Sequence, residues 1–307
     1  MIRFTRTTIF FLFAFCLLPF LSYAQVGTSG LSFLKLGVSG RSVSMGDAMS
    51  ASVYGAAATH YNPAGVFNNG ETSTEFLLMH KEWIQDVRSQ FLGASVQLND
   101  ESALGFSVNT ATVSDIEIRT RPGTAEGTFS SRDYSLGLSY ARSFSDDLKV
   151  GVTAKFLYEK IFVDESNGFA FDLGAQYKTP VDNLSVGLAL ANLGTTNDLR
   201  NEKITLPSLL RVGPAYTEEL EGISSQLTVA SDLLYIFPEK KAYLNVGGEL
   251  LFNKVVAARV GYQLGSNGRG FSAGVGMQYG MFNLDYGFVP LSSNLGSGHT
   301  FSLGLSF

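Results

Sequence analysis

The last nine residues, HTFSLGLSF, alternate strictly between two kinds of side chain. One face carries Phe301, Leu303, Leu305 and Phe307, and the positions between them hold threonine, serine or glycine. Successive side chains of a β-strand point to opposite faces, so the segment predicts a strand with one apolar face and one small, polar face. Such a strand, ending on an aromatic residue, is typical of a transmembrane β-barrel wall. We expect these residues to act as the barrel-closing C-terminal signal.

The same alternation recurs upstream in segments of roughly ten residues separated by turn sequences. From about residue 74, fourteen candidate strands can be counted, at 74–84, 89–98, 103–113, 131–143, 148–161, 168–179, 184–194, 207–217, 225–236, 242–252, 255–265, 271–280, 281–290 and 299–307. Among the connections, the longer ones are 114–130, 195–206, 266–270 and 291–298. Because tight turns at one end and longer loops at the other are typical of outer-membrane barrels, residues 73–307 predict a 14-stranded antiparallel transmembrane β-barrel.

Glycines recur near the middle of these strands, on the face opposite the large apolar side chains: Gly93, Gly105, Gly137, Gly151, Gly174, Gly187, Gly247, Gly261, Gly274, Gly287 and Gly304. Glycine in a strand marks either curvature or a place where another part of the chain approaches closely. Fourteen strands enclose a lumen too wide for wall side chains to fill, which favours close approach by a filler.

Residues 25–72 supply a candidate filler, because 31–72 are rich in alanine, glycine and serine and show no alternation. We expect a small N-terminal plug in the periplasmic half of the lumen. It would contain a short helix over 47–58, stopped by the Asn-Pro-Ala-Gly sequence at 62–65. The alternative is a disordered linker, which the apolar content of the segment disfavours.

The N-terminus has the pattern of an export signal. Arg3 and Arg6 precede an apolar run at 9–21, and Ser-Tyr-Ala ends at Ala24. The pattern predicts a signal peptide over 1–24 that is cleaved near Ala24. A membrane anchor is the alternative, but the apolar run is short for one.

Composition narrows the classes of partner and cofactor. The one cysteine, Cys16, lies inside the predicted signal, so the mature chain is expected to have neither disulfides nor thiolate metal sites. The formal charge is −5 and no basic block is present, which predicts no nucleic-acid partner. Asp164, Glu165, Asn167 and Asp172 lack the spacing of a calcium loop, and we expect no metal or other cofactor.

The segment 33–66, FLKLGVSGRSVSMGDAMSASVYGAAATHYNPAGV, resembles the N-terminal region of the PorV/PorQ family, a branch of the FadL-like outer-membrane proteins. The resemblance is carried by a plug motif consisting of Phe33, Leu34, Gly37, Arg41, Met45, Gly46, Tyr61, Asn62, Pro63, Ala64 and Gly65. It implies a 14-stranded barrel with an N-terminal plug, placed in the outer membrane of a Gram-negative, Bacteroidota-like bacterium.

The resemblance also implies a function and partners. PorV/PorQ proteins take part in type IX secretion, so the chain is expected to act as a partner or anchor for exported or surface-attached proteins. Its external loops would contact the protein partners, and its wall would contact outer-membrane lipid. The alternative is FadL-like passive transport of hydrophobic small molecules, which would enter a pocket beside the plug and leave through the wall.

Catalytic signals are weak, and we predict that the protein is not an enzyme. His80 and His299 lie on the first and last candidate strands, and Ser297 or Ser302 could complete a lipid hydrolase. Hydrogen-bonded histidines at a membrane interface are the simpler interpretation, and His60 falls in the plug segment.

A group of three arginines, Arg119, Arg121 and Arg132, flanks the loop 114–130. These arginines either contact lipopolysaccharide phosphates or keep that loop soluble.

Overall fold

The computed structural model describes residues 29–67 and 73–307. The predicted signal peptide and its cleavage site near Ala24 lie outside the described residues. Within the described part of the chain, no helix is both long enough and apolar enough to cross a membrane.

The described residues form a closed barrel of fourteen antiparallel strands. In chain order these are β1 (Thr74–Glu82), β2 (Arg88–Asn99), β3 (Ser102–Ile118), β4 (Gly127–Ser143), β5 (Leu148–Ile161), β6 (Asp164–Lys178), β7 (Leu184–Thr196), β8 (Leu209–Leu220), β9 (Ser225–Ile236), β10 (Lys241–Phe252), β11 (Val256–Leu264), β12 (Phe271–Tyr279), β13 (Phe282–Pro290) and β14 (Ser297–Ser306). Each strand pairs with its chain neighbours, and β1 pairs with β14, so the sheet has no free edge. The predicted fold class is confirmed.

The closing seam joins the first and last strands from Glu75 opposite Ser306 to Glu82 opposite His299. Phe307, just beyond β14, packs edge to face on Phe76. Outward-facing side chains along the wall are large, apolar and exposed, as at Leu138 with 60% exposure. An exposed apolar band of this extent is the surface that a transmembrane barrel presents to lipid.

Strands β3 and β4 are longer than predicted, and the connection between them is only residues 119–126 rather than 114–130. The pairing of β3 with β4 shifts between Val113 and Ile116, where Asp115 has a φ of 58°. This bulge reverses which residues face inward, so the residues of β3 beyond it no longer fit the alternation by which the strand was predicted.

We call the end of the barrel where β1 begins and β14 ends the proximal end, and the opposite end the distal end.

Residues 29–67 lie inside the barrel. They form α1 (Gly40–Ser44), α2 (Ala58–Tyr61) and 3₁₀ turns at Ser32–Lys35, Gly55–Ala57 and Pro63–Val66. The prediction of a helix over 47–58 was wrong. Gly46 and Asp47 have φ values of 65° and 60°, which end the helical path, and residues 47–54 then run as turns.

The predicted location of the plug also needs a correction. Residues 37–67, the plug core, reach the proximal wall, where the Ala56 amide donates to Glu75, and Asp47 of the core also pairs with Arg269 in the distal connection between β11 and β12. Residues 29–36, the leading segment, extend into the distal half. Ser29 there contacts Glu239 in the connection between β9 and β10. The correction has a physical cause, because the apolar side chains of the leading segment find their apolar partners on the distal wall.

The inward-facing glycines are where the plug core contacts the wall. A methyl group at Gly247 would lie 2.7 Å from Met45 Cβ, and one at Gly287 would lie 2.8 Å from the carbonyl oxygen of Gly40. Of the glycines predicted to accommodate a filler, only Gly137 and Gly304 have no plug atom among their nearest neighbours. The absence of side chains at the others lets plug backbone and barrel backbone meet directly.

Candidate functional site: the plugged lumen

Arg41 ties α1 to the barrel wall. Its Nε and Nη2 donate to the carboxylate of Glu249 at 3.0 and 2.9 Å, and Nη1 donates to the Ser52 carbonyl at 3.1 Å. Glu249 also pairs with Arg259, whose Nη1 lies 2.6 Å from Asp285 Oδ1. Burial alone lowers the pKa of Arg41, but Glu249 outweighs burial and the pKa is raised. The plug is therefore anchored by a chain of alternating charges that reaches β10, β11 and β13.

Tyr61 is the internal hub of the plug core. Its hydroxyl donates to Asp47 Oδ1 at 2.6 Å and accepts from the Val38 amide at 3.2 Å. Burial and the neighbouring carboxylate raise the pKa of Tyr61 well above its ordinary value. Burial raises the pKa of Asp47, but Arg269, at 2.5 Å, and Lys81 outweigh it, and the pKa is lowered. The Tyr61 phenol therefore stays neutral and the Asp47 carboxyl ionised.

Asn62 holds the second half of the plug core. Its Oδ1 accepts from the Ala64 amide at 3.2 Å, which caps the 3₁₀ turn beginning at Pro63. Its Nδ2 donates to the carbonyls of Ser50 and Ala175, at 2.7 and 3.0 Å, and so joins the plug to β6.

The remaining motif residues are packed rather than chemically reactive. Met45 and Gly46 lie against β10 and β11, where a methyl group on Gly46 would be 2.9 Å from the Val246 carbonyl oxygen. Gly37 accepts a hydrogen bond from the ammonium of Lys81 on β1, and a methyl group on Gly65 would lie 3.1 Å from Ala58 Cβ. The motif residues from Gly37 to Gly65 therefore lie in the plug core, whereas Phe33 and Leu34 belong to the leading segment.

Asp232 on β9, which the sequence analysis does not single out, holds a turn of the plug core. Its carboxylate accepts from the amides of Met49 and Ser50, both at 2.8 Å, and from the Ser50 hydroxyl. Pairing of β8 with β9 is interrupted at this level, next to Pro214, which has no N–H to donate. The sequence signal that could have predicted this role is an acidic residue at an inward position of an otherwise largely apolar strand.

The leading segment fills an apolar chamber in the distal half of the bore. Its side chains Leu31, Phe33 and Leu34 pack against the chamber walls, formed by Ala111, Leu157, Ala170 and Leu206. Polar attachment is sparse: Lys35 Nζ lies 2.5 Å from Glu239, Ser29 Oγ donates to Glu239 at 2.7 Å, and the Gly30 amide donates to the Thr205 carbonyl at 3.0 Å.

The wall beside this chamber contains a notch. Strand β7 pairs with β8 only as far as Ala191 opposite Leu209. From Leu193 to Thr196, β7 pairs with β6 alone, and residues 197–208 connect it to β8, with the Pro207 carbonyl accepting from Asn192 Nδ2 at 3.2 Å. The chamber residue Leu206 belongs to that connection, so the chamber and the notch adjoin.

A buried polar cluster holds the bulge of β7 under the notch. Lys155 and Asp172 form an ion pair at 2.6 Å, with side chains only 5% and 1% exposed. Asn192 donates its amide to Asp172 at 2.7 Å and accepts from Lys155 at 2.9 Å. The charge of Lys155 also acts on His60 of the plug. Burial lowers the pKa of His60 well below its ordinary value, and the positive charges of Lys155 and Arg211 lower it further, so the ring is neutral.

A second space lies at the proximal end, between the plug core and strands β6 to β10 and β12. It has a volume of about 740 Å³ and a mostly polar lining, which includes Arg41, Tyr54, Glu219, Thr228 and Gln278. Ala51 and Ala215, which belong to a buried alanine cluster, also line it. The bore thus has an apolar cluster around the leading segment, beside the inward-facing carboxyl groups of Asp133 and Glu159 on β4 and β5, and a largely polar space at its proximal end.

The candidate catalytic residues do not assemble a serine–histidine–acid triad. His299 lies 3.0 Å from Ser297 Oγ through Nε2, but its Nδ1 meets the hydroxyl of Tyr286 at 2.9 Å, where a triad needs a carboxylate. His80 is outward-facing on β1 and Ser302 donates no proton to either ring; its Oγ accepts from the Gly40 amide at 3.0 Å.

The other charged candidates are dispersed. Arg119 pairs with Glu117 at the tip of the β3–β4 hairpin, and Arg132 lies on the outer face of β4. Asp164 and Glu165 begin β6, whereas Asp172 is the partner of Lys155 inside the barrel. The structure therefore does not bring the acidic residues together.

Comparison with known proteins identifies the fold. No protein-family model matches the chain, and no curated protein matches it in sequence. The structure is similar to CymD, described as a monoaromatic hydrocarbon channel, with a TM-score of 0.62 and 15% identity over 88% of this chain and 98% of CymD.

Two further solved structures have the same architecture. The toluene transporter TodX of Pseudomonas putida aligns with a TM-score of 0.57 and 14% identity, over 88% of this chain and 97% of TodX. A FadL homologue of Pseudomonas aeruginosa aligns with a TM-score of 0.50 and 12% identity, over 88% and 98% of the two chains. The chain has the fold of the FadL-type outer-membrane channels: a closed fourteen-strand barrel whose N-terminal segment lies inside the bore.

Proposed function

We propose that the protein is a passive conduit for hydrophobic small molecules in the outer membrane of a Gram-negative bacterium. The observation that carries the proposal is the apolar chamber occupied by the leading segment. A buried chamber lined by Ala111, Leu157, Ala170 and Leu206 is a hydrophobic binding site by composition, and its present occupant is the chain itself.

The attachment of the leading segment suits a displaceable occupant. Its polar attachment is one ion pair, Lys35 with Glu239, and the hydrogen bonds of Ser29 and of the Gly30 amide, whereas the plug core is held at Arg41 by a network of four charged side chains. Most of what holds the segment is apolar burial, which an incoming hydrophobic molecule replaces at the same site.

The notch supplies a way out of the chamber. A molecule that displaces the leading segment lies beside Leu206 and Leu209, where β7 and β8 have separated. Lipid hydrocarbon surrounds the wall at this point, so an apolar molecule leaves sideways without crossing the plug core. The solved neighbours CymD and TodX, described as channels for aromatic hydrocarbons, support this function by their fold.

Uptake of radiolabelled toluene by cells that make the protein tests the proposal. Wild type should raise the rate above that of vector-only cells, and Ala170→Asp, which places a carboxylate in the chamber, should return it to the vector rate. Thr217→Asp is the matched control, because Thr217 faces the polar proximal space and its variant should transport like wild type. Equal uptake in wild-type and vector-only cells would refute the proposal.

The second candidate is the type IX secretion role implied by the PorV/PorQ resemblance. It is supported by the motif in 33–66, in which Arg41 joins the plug core to Glu249 of the wall and Tyr61 joins it internally to Asp47. The resemblance places contact with protein partners on the external loops. A deletion strain separates the two roles: failure to secrete or anchor type IX cargo supports the second, and normal secretion with poor growth on a hydrophobic carbon source supports the first.

A further inference from the structure

Two carboxylates face each other on the inner wall beside the chamber of the leading segment. Asp133 on β4 is directly opposite Glu159 on β5. Both share an inward face with chamber residues, since Asp133 is also opposite Ala111 and Glu159 follows Leu157 by two positions along β5. Like charges directly opposite each other on a sheet destabilise it. Folding alone therefore does not account for this pair.

The described chain supplies neither carboxylate with a donor. Asp133 Oδ1 and Glu159 Oε2 are buried and have no hydrogen-bond partner among the described residues. Ser166, opposite Glu159 on β6, donates its hydroxyl to the Asn197 carbonyl at 2.7 Å instead. Lys155, the next inward cation along β5, is already held in an ion pair. A buried oxygen without a donor keeps its full desolvation cost, so this part of the wall lacks donors.

A third acceptor lies on the same inner face. Asn109 on β3 is one inward position from Ala111 and directly opposite Ser135 on β4. Its side chain is only 5% exposed, and its Oδ1 has no hydrogen-bond partner within the described ranges. The three unpartnered atoms on β3, β4 and β5 are all oxygens that accept. A ligand that satisfies them must therefore donate.

The leading segment does not supply these donors. Its one ammonium, at Lys35, pairs with Glu239 in the connection between β9 and β10. The side chains that it packs against the chamber walls are Leu31, Phe33 and Leu34, which have no polar atoms. When the segment withdraws, Lys35 also leaves Glu239. The vacated chamber then has three carboxylates around it, all of which lack the ammonium of the segment.

We propose that the chamber takes hydrophobic primary amines, an inference that rests on the proposed function because the leading segment must yield the chamber. The ammonium donates its three N–H groups to Asp133, Glu159 and Asn109. The apolar part of the molecule lies against Ala111 and Leu157, where the leading segment packs now. Donor–acceptor distances of about 2.8 Å place the acceptors of one ammonium about 4.6 Å apart, which suits directly opposite side chains with Cβ atoms about 4.5–5.5 Å apart.

The composition of the wall favours an ammonium over a metal ion or an anion. In the part of the chain that the structure describes, no three histidine, cysteine, aspartate or glutamate side chains come together to hold a metal ion. Calcium takes about six to eight oxygen ligands, more than two carboxylates and one amide provide. A fatty-acid carboxylate would meet two like charges at short range. A hydrocarbon fits the apolar wall but leaves the three acceptors without donors.

Equilibrium dialysis of radiolabelled phenethylamine against the purified, detergent-folded protein at neutral pH tests the proposal. Phenethylamine joins an aromatic ring to a primary ammonium, and 3-phenylpropionate carries a carboxylate in its place. Wild type should bind the amine about tenfold more tightly than the acid. The double variant Asp133→Asn, Glu159→Gln should bind the amine about tenfold more weakly than wild type and should discriminate less between the two ligands.

Two further variants control for charge and for folding. The double variant Glu218→Gln, Glu219→Gln removes the same charge from the lining of the proximal space, and it should bind phenethylamine like wild type. Asn109→Ala keeps both carboxylates and removes the third acceptor, so it should weaken binding about threefold. It also replaces the first double variant if that variant does not give a heat-modifiable, folded barrel.

Equal binding of the amine and the acid by wild type would overturn the proposal. Equal amine affinity in wild type and in Asp133→Asn, Glu159→Gln would do the same, as would binding of calcium by wild type without binding of the amine. Dialysis measures binding without transport, so the two proposals fail separately. Toluene uptake at the vector rate together with amine binding refutes only the conduit, and toluene uptake above the vector rate without amine binding refutes only the ligand class.

Discussion

The plug core and the leading segment fill the same bore but are held in different ways. The core is held by backbone contact at wall glycines, by the network of ion pairs that links Arg41 to Glu249, Arg259 and Asp285, and by the hydrogen bonds of Asp232. The leading segment is held mainly by apolar side chains, with a single ion pair at Lys35. Under the proposed function, the plug core keeps its place in the barrel while the leading segment occupies the site that the ligand takes.

The physical reason is the cost of leaving a buried polar group without its partner. If the core moved, its carboxylate and guanidinium groups would lose their partners in a low-dielectric interior, and the free-energy cost would be large. Moving the leading segment exposes apolar surface that a hydrophobic ligand covers again.

The largest effect is expected from the ion pair at the boundary between the two regions. Asp172→Ala leaves Lys155 buried and unpaired and removes the acceptor of the Asn192 amide, so we expect it to lower the free energy of unfolding by about 3–5 kcal/mol. Urea denaturation of detergent-folded protein measures it. The control is Glu101→Ala, whose pair with Arg142 is 65% and 52% exposed, with an expected loss of about 0–1 kcal/mol.

Two adjacent glycines test the glycine contacts. In Gly247→Ala the new methyl group meets Met45 Cβ at 2.7 Å, so overpacking should lower the free energy of unfolding by about 1–3 kcal/mol. In Gly248→Ala, on the opposite face of the same strand, the nearest atom is 3.9 Å away, and we expect a change within about 0.5 kcal/mol. Equal effects at both positions would mean that glycine stabilises β10 for a reason other than the plug.

The hydrogen bonds of Asp232 should contribute next. Asp232→Ala leaves the buried amides of Met49 and Ser50 without an acceptor, which costs about 1–3 kcal/mol and should loosen the turn over residues 45–52. A cysteine placed at Ser52 should then react faster with an impermeant thiol reagent added from the proximal side. A cysteine at Ser44, which packs against Gly274 on the other side of the plug, serves as the control and should keep its rate.

The smallest stability effect is expected in the leading segment. Lys35→Gln removes a partly exposed ion pair and should change the free energy of unfolding by about 0–1 kcal/mol. Toluene uptake should nevertheless rise, because the segment leaves the chamber more readily. A large loss of stability without a change in uptake would contradict the contrast between core and leading segment.

Much of the barrel follows from its alternation. Phe301, Leu303 and Leu305 predict the closing strand by period alone, and the inward glycines predict a filler in the bore. The extension of β3 past Val113 could not be predicted, because the bulge at Asp115 reverses the alternation there.

The interior of the plug was harder to predict than its presence. Asp47 has a positive φ and its carboxylate pairs with Arg269, more than two hundred residues later, and no local propensity could predict that pairing. Long-range partners also decide the position of the leading segment, since Glu239 and Thr205 come from distant connections. Asp172 is the partial exception: an acidic residue at an inward position of a strand already indicates a buried partner.

A reversible disulfide between the leading segment and the distal wall tests the central claim most directly. A methyl group at Gly30 would lie 3.8 Å from Ile204 Cβ, which matches the Cβ separation of about 3.8 Å in disulfides. The pair Gly30→Cys, Ile204→Cys can be made in a Cys16→Ser background, since Cys16 is the one cysteine of the sequence. The control pair Val43→Cys, Gly287→Cys locks α1 to β13, where the corresponding separation is 3.4 Å.

If the leading segment must leave the chamber while the plug core stays in place, oxidation of the first pair should abolish toluene uptake, and a reductant should restore it. Oxidation of the control pair should leave uptake unchanged. Full uptake with the leading segment locked, or loss of uptake with only α1 locked, would contradict the assignment of the chamber and its occupant.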